Sequence, residues 1–146
     1  KGKIIQNELL SLVDADTEAY NMIIKARRMP KSTEEEVKSR NDAIQNAFRE
    51  AILVPLRVME TAFSGFDLIR NMVEKGNPSS VSDAAVGSLA LLAAIKGAFL
   101  NIRINSSGVD DKIFISSVIS KGSGILSKAE TENEHIQKVV DSGIGL

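Results

Sequence analysis

The sequence contains no cysteine and no tryptophan, and it has a single histidine and a single tyrosine among 146 residues. Without cysteine it can form neither disulfides nor a thiolate metal site or nucleophile, so a reducing, cytoplasmic location is expected. One histidine excludes a multi-histidine metal cluster and a pair of cooperating histidines. We therefore predict no bound metal. Any chemistry has to come from carboxylates, amides, hydroxyls, lysine, arginine and the backbone.

The sequence also lacks an excess of charge of either sign. Eighteen basic residues face nineteen acidic ones, for a net charge of -1. This balance gives no electrostatic footprint for nucleic acid or for an anionic membrane. No uninterrupted apolar run reaches the roughly 18 residues of a membrane span, because Ser88 and Lys96 interrupt the longest one. We expect neither a nucleic-acid partner nor a membrane partner.

What is present is an ordinary globular composition, with 43% hydrophobic and 25% charged residues. A chain of this length fits one domain. No segment alternates at period two for long enough to predict a strand, whereas apolar residues recur at helical spacing in four segments. The sequence predicts an all-α, up-and-down bundle of long helices.

Proline and capping residues delimit the first two predicted helices. The first covers about residues 3–28 and ends before Pro30, because the residue preceding a proline is pushed out of the α region. The second begins at a capping box, formed by either Ser32 and Glu35 or Thr33 and Glu36. Its apolar stripe keeps its phase past Pro55 as far as residue 76, which predicts one helix with a kink at the proline.

The third and fourth predicted helices differ in pattern. The third takes Ser80 or Ser82 as its N-cap and runs to Asn105. It is apolar nearly all round, which is typical of a central, buried helix. The fourth starts near residues 110–111, and glycines at 122 and 124 weaken it.

A carboxylate on an apolar face is the first candidate for chemistry. Asp16 falls within the apolar stripe of the first helix, whereas Asp14 falls about 180° away. A lone buried carboxylate needs a cation, a ligand or a raised pKa, and a raised pKa suits a general acid near neutral pH. The residues alone leave both a structural ion pair and a functional acid open.

The third helix repeats this pattern. Asp83, Asn101 and Asn105 share a face that is lined by small residues. The helix dipole also explains an acidic residue in the first turn, but an asparagine inside an apolar run requires hydrogen-bond partners. Arg103 either reaches an anionic group or is solvated.

Two further candidates lie in the turns between helices. Lys31 follows Met29-Pro30, and Asn77 follows Gly76. Loop residues beside a rigid bundle often bind ligands, although ordinary turn composition explains both equally well.

Several motifs together resemble the formiminotetrahydrofolate cyclodeaminase family, which includes methenyltetrahydrofolate cyclohydrolases. The likeness covers about residues 5–120. The matching segments, in order, are residues 13–20 with 29–31, residues 54–56 with 60–61, residues 76–78 with 82–83, and residues 97–98 with 101–105.

The resemblance implies an all-helical homodimer that binds a tetrahydrofolate derivative as substrate, without a prosthetic group. The implied reaction converts 5-formimidoyltetrahydrofolate to 5,10-methenyltetrahydrofolate and ammonia, a lyase step of histidine degradation. Two alternatives stay open. One is a methenyltetrahydrofolate cyclohydrolase, and the other is a helical folate-binding or scaffold protein without catalysis.

The positions of the candidate residues suggest their roles in the implied reaction. Asp16 is the expected general acid/base, and Lys31 is expected to contact the glutamate tail. The full set of expected substrate-binding residues is Asp14, Tyr20, Lys31, Asn77, Asp83, Asn101, Arg103 and Asn105.

Two departures from the family pattern affect these expectations. The family carries an N-terminal helix and a Gly-rich segment ahead of the first motif, so residues 1–146 are interpreted as a single domain that lacks them. After Asn105 the family usually continues with leucine and lysine, whereas this chain has Ser106-Ser107-Gly108. The role of this loop is therefore open.

Overall fold

The computed structural model describes residues 1–143 as five α-helices, with a 3-10 turn on either side of the fourth. This part of the chain contains no strand, and the predicted all-α class is confirmed. The helices are α1 (Gly2–Arg27), α2 (Glu34–Ser64), α3 (Phe66–Lys75), α4 (Val81–Asn105) and α5 (Lys112–Gly143).

Helices α1 and α2 form an antiparallel hairpin. The carbonyl oxygen of Arg27 accepts hydrogen bonds from the Arg40 guanidinium near the connecting turn. At the other end of α1, the ammonium of Lys1 lies 3.6 Å from the carboxylate of Asp67, in the first turn of α3. The two helices approach closely because their contact is rich in alanine, a residue whose side chain ends at Cβ. Their shared buried residues are Leu12, Ala19, Ile23, Ala47, Ala51 and Val54.

A capping box starts α2, as predicted, and the pair is Thr33 with Glu36. The Thr33 hydroxyl accepts a hydrogen bond from the Glu36 N–H at 3.1 Å, and the Glu36 carboxylate accepts one from the Thr33 N–H at 3.2 Å. Two backbone donors that the helix leaves unpaired are thereby satisfied.

The predicted single helix from residue 33 to residue 76 is wrong. Helix α2 continues through Pro55 but ends at Ser64, and α3 begins at Phe66. Gly65 separates them, and its N–H bonds to the Ala62 carbonyl at 3.0 Å. A Cβ atom at Gly65 would lie 2.9 Å from the side chain of Leu91. The glycine thus permits close approach of α4 where the helix breaks.

Helix α4 packs against α2, α3 and α5, but the prediction that it is buried all round is wrong. Its most apolar 18-residue window has a mean hydropathy of 1.7, and only 22% of that window is buried. By length and composition alone, the helical segment Val81–Gly108 could cross a membrane. Its outward face exposes Val86 by 66%, Leu89 by 49%, Leu100 by 54% and Ile104 by 68%.

Helix α5 begins where the sequence predicts and runs unbroken through both glycines. The Asp111 carboxylate caps it by accepting hydrogen bonds from the N–H groups of Ile113 and Phe114, each at 3.0 Å. Gly122 lies against α4, and a Cβ atom there would sit 2.8 Å from the Phe99 ring. Close helix packing therefore explains a glycine that helix propensity disfavours.

Candidate active site

Four polar side chains line one small cleft between α1 and α4. Asp16 and Tyr20 lie one turn apart on α1, and Asn101 and Asn105 lie one turn apart on α4. Side chains at this spacing share a helix face, so each helix presents a pair of polar groups. The cleft encloses about 180 Å³. It combines a carboxylate, a phenol and two carboxamides.

The floor of the cleft is apolar and comes from α1 and α2. Ile23 and Ala51 line it, and both are buried. The short side chain of Ala51 leaves room above α2 that a larger residue would fill. A ligand seated here therefore meets polar walls and an apolar base, the usual combination in small-molecule sites.

A backbone carbonyl holds Asn105 in place. Its Nδ2 donates a hydrogen bond to the carbonyl oxygen of Ala51 at 2.8 Å. In a regular helix this oxygen accepts from the N–H four residues later, but that residue is Pro55, which has no N–H. Asn105 therefore satisfies an acceptor that the proline leaves open. The Oδ1 atom of Asn105 is then the end of the amide that can accept from a ligand.

The turn after Asn105 is clamped to α2. Gln45 donates from Nε2 to the Gly108 carbonyl at 3.2 Å, and its Oε1 accepts from the Asp110 N–H at 2.8 Å. The loop that departs from the family pattern is thus an ordered 3-10 turn. Sequence reasoning missed Gln45, because its role depends on α2 lying beside this turn.

An ion pair reinforces the same clamp. The Arg49 guanidinium lies 2.6 Å from the Asp111 carboxylate and stacks over the Phe114 ring. The N–H of Phe114 that bonds to Asp111, followed by the hydrogen bond from Arg49, holds the pKa of the Asp111 carboxyl below its usual value. Elsewhere, the hydrogen bond and the charge of Glu132 raise the pKa of Arg70. Both groups lie outside the cleft.

The expectation that Asp16 is buried is wrong. Leu12, Ala19 and Ile23 are buried in the α1 stripe, but Asp16 is exposed. The reason is that α1 packs mainly on α2, and the space between α1 and α4 is open at this level. The carboxylate lies at the wall of the cleft, in contact with solvent.

Three predicted site residues lie away from the cleft on helices. Asp14 is exposed on α1. Asp83 is exposed in the first turn of α4, about 27 Å along the helix axis from Asn101. Arg103 is exposed in the last turn of α4, about 200° around the helix from Asn101. Asp83 lies on the same face of α4 as Asn101, but it is too far away along the helix axis to line the cleft.

The two predicted residues in turns are also outside the cleft. Lys31 is exposed between α1 and α2. Asn77 stabilises its own turn, because its Oδ1 accepts a hydrogen bond from the Ser79 N–H at 3.0 Å. Asn77 therefore has a structural explanation in this chain.

A larger groove lies between α1, the α2–α3 junction and α4. It encloses about 470 Å³, and Gln6 supplies the one polar side chain among its lining residues. Without a titratable or nucleophilic group this groove cannot carry out proton transfer. Within residues 1–143, no three His, Cys, Asp or Glu side chains come together as metal ligands would.

The fold and the cleft define an all-helical protein with one small cleft that carries a carboxylate, a phenol and two carboxamides. The chain belongs to the formiminotransferase-cyclodeaminase family, whose sequence model matches residues 1–123. The family resemblance seen in the sequence is confirmed.

Individual relatives agree with this assignment. The methenyltetrahydrofolate cyclohydrolase of Methylorubrum extorquens is 33% identical over 144 residues, which are 99% of this chain and 69% of that protein. The formimidoyltransferase-cyclodeaminase of Sus scrofa is 36% identical over 125 residues, 86% of this chain but 23% of that protein. The chain thus spans less than a quarter of the animal relative.

A solved structure shares the fold. The crystal structure of formiminotetrahydrofolate cyclodeaminase from Thermotoga maritima matches with a TM-score of 0.73 and 23% identity, over 97% of this chain and 64% of that one. The helical architecture is therefore that of a known cyclodeaminase fold.

Proposed function

We propose that this chain processes a reduced folate in the cleft between α1 and α4, as a 5-formimidoyltetrahydrofolate cyclodeaminase. The observation that carries the proposal is the meeting of Asp16, Tyr20, Asn101 and Asn105 in one cleft of a chain from this folate-enzyme family. The folate is a substrate, and no prosthetic group takes part.

The proposed reaction requires two protons to reach the leaving nitrogen. N10 of the folate forms a bond to the formimidoyl carbon and gives up its proton. The nitrogen of the former imine gains that proton and a second one from the solvent, and the bond between carbon and that nitrogen breaks to release ammonia and leave the methenyl group as a cation. The product carries the methenyl bridge between N5 and N10. A single carboxylate that accepts the first proton and returns it to the leaving amine would serve both steps.

Asp16 is the carboxylate in the cleft and takes this role. A folate seated between α1 and α4 would displace water from the exposed carboxylate. The carboxylate would then accept the proton from N10 and, once protonated, donate it to the leaving amine.

The other three polar residues would orient the substrate. Asn101 and Asn105 offer amide donors and acceptors to the pterin edge or to the amidine. Tyr20, whose side chain is 63% exposed, offers a flat surface and a hydroxyl at the mouth of the cleft. Orientation of this kind contributes strongly to rates when two groups must react within one molecule.

A methenyltetrahydrofolate cyclohydrolase is the second candidate. The cyclohydrolase of Methylorubrum extorquens aligns with nearly the whole chain, which favours this reaction. In it, water attacks the methenyl carbon, Asp16 would accept a proton from the water, and the bond from that carbon to one of the two folate nitrogens breaks to leave a formyl group on the other. The same cleft and the same carboxylate serve both reactions.

One experiment separates the candidates. The full-length protein is incubated with 5-formimidoyltetrahydrofolate and, separately, with 5,10-methenyltetrahydrofolate, and the methenyl absorbance is followed. A rise with the first substrate and release of ammonia support the cyclodeaminase. A fall with the second alone supports the cyclohydrolase. Binding measured by calorimetry without turnover indicates a non-catalytic folate-binding protein, and absence of binding contradicts the folate proposal.

The homodimer and the cytoplasmic location also stay proposals. The exposed apolar face of α4 offers a contact surface for a second copy, with Val86 and Leu89 in its N-terminal half. Light scattering tests this directly: the wild-type protein should have the mass of a dimer, and Leu89→Glu should give a monomer. A dimeric Leu89→Glu variant would show that this face is not the contact.

The expected substrate-binding residues outside the cleft remain predictions from the sequence and the family resemblance. The proposed site contains Asp16, Tyr20, Asn101 and Asn105 and excludes the rest. The residues left outside it are Asp14, Lys31, Asn77, Asp83 and Arg103.

A further inference from the structure

Pro55 affects the candidate site because it lacks a backbone N–H. It is buried within α2, one turn after Ala51. Because proline has no N–H, the Ala51 carbonyl oxygen has no helical donor. This oxygen instead accepts from Nδ2 of Asn105, at 2.8 Å. A proline in α2 and an asparagine at the end of α4 are thereby linked across the floor of the cleft.

The link determines which end of the Asn105 amide a ligand meets. A carboxamide can present either a donor or an acceptor, and rotation by 180° exchanges them. A carbonyl oxygen accepts but cannot donate, so Ala51 binds the NH2 end alone. The Oδ1 end is therefore left for the cleft. A carbonyl oxygen can accept two hydrogen bonds, so an N–H at position 55 would share the Ala51 carbonyl with Asn105 and weaken the bond that fixes this orientation.

We propose that Pro55 is a positioning residue of the site. By withholding a backbone N–H it keeps the Ala51 carbonyl for Asn105, and so fixes Asn105 as a hydrogen-bond acceptor toward the substrate. A reduced pterin carries N–H and NH2 groups on one edge, and an amidine carries N–H groups as well. An acceptor fixed in place therefore suits this class of ligand. The inference rests on the proposed function for the ligand, but the link itself exists without ligand.

The clamp on the following turn supports this role. Gln45 bonds to both Gly108 and Asp110, which anchors the chain just after Asn105 to α2. The end of α4 is thus held against the same helix that carries Pro55. Asn105 is constrained both by its side chain and by the turn that follows it.

Pro55→Ala tests the proposal, with Arg57→Ala as a matched control on the exposed side of α2. Pro55→Ala restores the backbone N–H, so we expect helix α2 to be kept. We expect the KM for reduced folate to rise about tenfold, which is the effect of losing one well-oriented hydrogen bond. The control should keep the wild-type KM. An unchanged KM in folded Pro55→Ala overturns the proposal.

A double-mutant cycle separates positioning from a general effect on the helix. If Pro55 acts through Asn105, then Pro55→Ala has no further effect on KM in an Asn105→Ala background. Additive effects would show that Pro55 acts by another route, and the proposal would fail. The cycle distinguishes the two because a change of helix shape acts whether or not the amide is present.

A measurement on the ligand-free protein keeps the test independent of the folate proposal and of the variant's folding. The exchange of the Asn105 side-chain NH2 hydrogens with water is followed by NMR, with exposed Asn46 as reference. We expect slower exchange at Asn105 in the wild-type protein, and exchange as fast as at Asn46 would overturn the link. If exchange is slow but no reduced folate binds, the link stands and the proposed function fails.

Discussion

The side-chain amide of Asn105 donates to the backbone carbonyl of Ala51 at 2.8 Å. This bond joins the C-terminal end of α4 to the middle of α2 at the floor of the candidate site. It also completes the hydrogen bonding of a helix that Pro55 would otherwise leave with an unpaired carbonyl. One side chain thus stabilises the fold and shapes the cleft.

The first prediction concerns the stability that this bond provides. Asn105→Ala removes the donor and leaves the Ala51 carbonyl without it, so the free energy of unfolding should fall by about 1–2 kcal/mol. Asn46→Ala, at an exposed position of α2, should change it by less than about 0.5 kcal/mol. Urea unfolding measures both. Equal stability of the two variants would contradict the account.

The second prediction compares two glycines within α5. A Cβ atom at Gly122 would meet the Phe99 ring at 2.8 Å, whereas one at Gly124 would have no neighbour within 4 Å. Gly122→Ala should therefore destabilise the protein by about 1–3 kcal/mol through overpacking. Gly124→Ala should stabilise it by up to about 1 kcal/mol through helix propensity.

Thermal unfolding of the two glycine variants side by side provides the check. Each variant serves as the control for the other, because both add one methyl group to the same helix. The prediction is a difference in sign. If both variants are stabilised, the packing of α4 on α5 at Phe99 is not as close as the structure indicates.

The third prediction concerns a buried polar cluster between α4 and α5. The Ser88 hydroxyl lies 2.8 Å from the Ala85 carbonyl oxygen and 2.9 Å from the Asn133 Oδ1, which are the two acceptors for its one hydrogen, and it accepts from the Gln137 Nε2 at 2.8 Å. Ser88→Ala removes this buried donor and acceptor, which should lower stability by about 1–3 kcal/mol. Exposed Ser120→Ala on α5 should have little effect in the same denaturation experiment. A neutral Ser88→Ala would refute the assigned role.

Much of the fold could be predicted from the helical spacing of apolar residues and from the residues that begin and end helices. The capping box at Thr33 and the end of the first helix before Pro30 both result from local backbone chemistry, which the sequence expresses directly. The break at Gly65 does not follow from the local pattern, and Gly65 lies against Leu91 of the distant helix α4. A local pattern with unbroken phase could not reveal that contact.

The exposure of α4 shows a second limit. An all-apolar helix is typical of a buried core, yet α4 keeps an open face in this chain. The spacing of apolar residues indicates how apolar each face of a helix is, but it does not indicate how many other helices pack against that face.

The candidate site was predictable in part. Asp16, Tyr20, Asn101 and Asn105 stood out as polar residues in the matched segments, and the structure places them in one cleft. Asp83 does not line the cleft, because it shares the helix face of Asn101 and Asn105 but lies several turns away along α4. The prediction that Asp16 is buried was wrong for a related reason. A position in an apolar stripe does not ensure that a neighbouring helix covers it.

The fourth prediction is a pH dependence of stability. The pKa of Asp111 is lowered from its usual 3.8 by the Phe114 N–H and then by Arg49. Ionised Asp111 therefore stabilises the folded state when the pH is above the pKa that Asp111 has in the unfolded chain. This stabilisation is lost as the pH falls through the lower pKa that Asp111 has in the folded protein.

Asp111→Asn should therefore lower the Tm relative to wild type at pH 7, and the difference should shrink below about pH 4. Melting curves between pH 3 and pH 7 provide the measurement, with the exposed neighbour variant Asp110→Asn as control. A difference in Tm that is constant across this range would mean that the Asp111 charge does not contribute.

The most direct test of the central claim is the turnover of 5-formimidoyltetrahydrofolate by Asp16→Asn in the full-length protein, read from methenyl absorbance. Asparagine keeps the shape of the side chain but cannot shuttle a proton, so we expect kcat to fall by about 10²–10⁴-fold. Glu18→Gln, an exposed carboxylate on another face of α1, should keep the wild-type kcat. An Asp16→Asn variant with unchanged kcat would contradict the proposal that this cleft carries out the reaction.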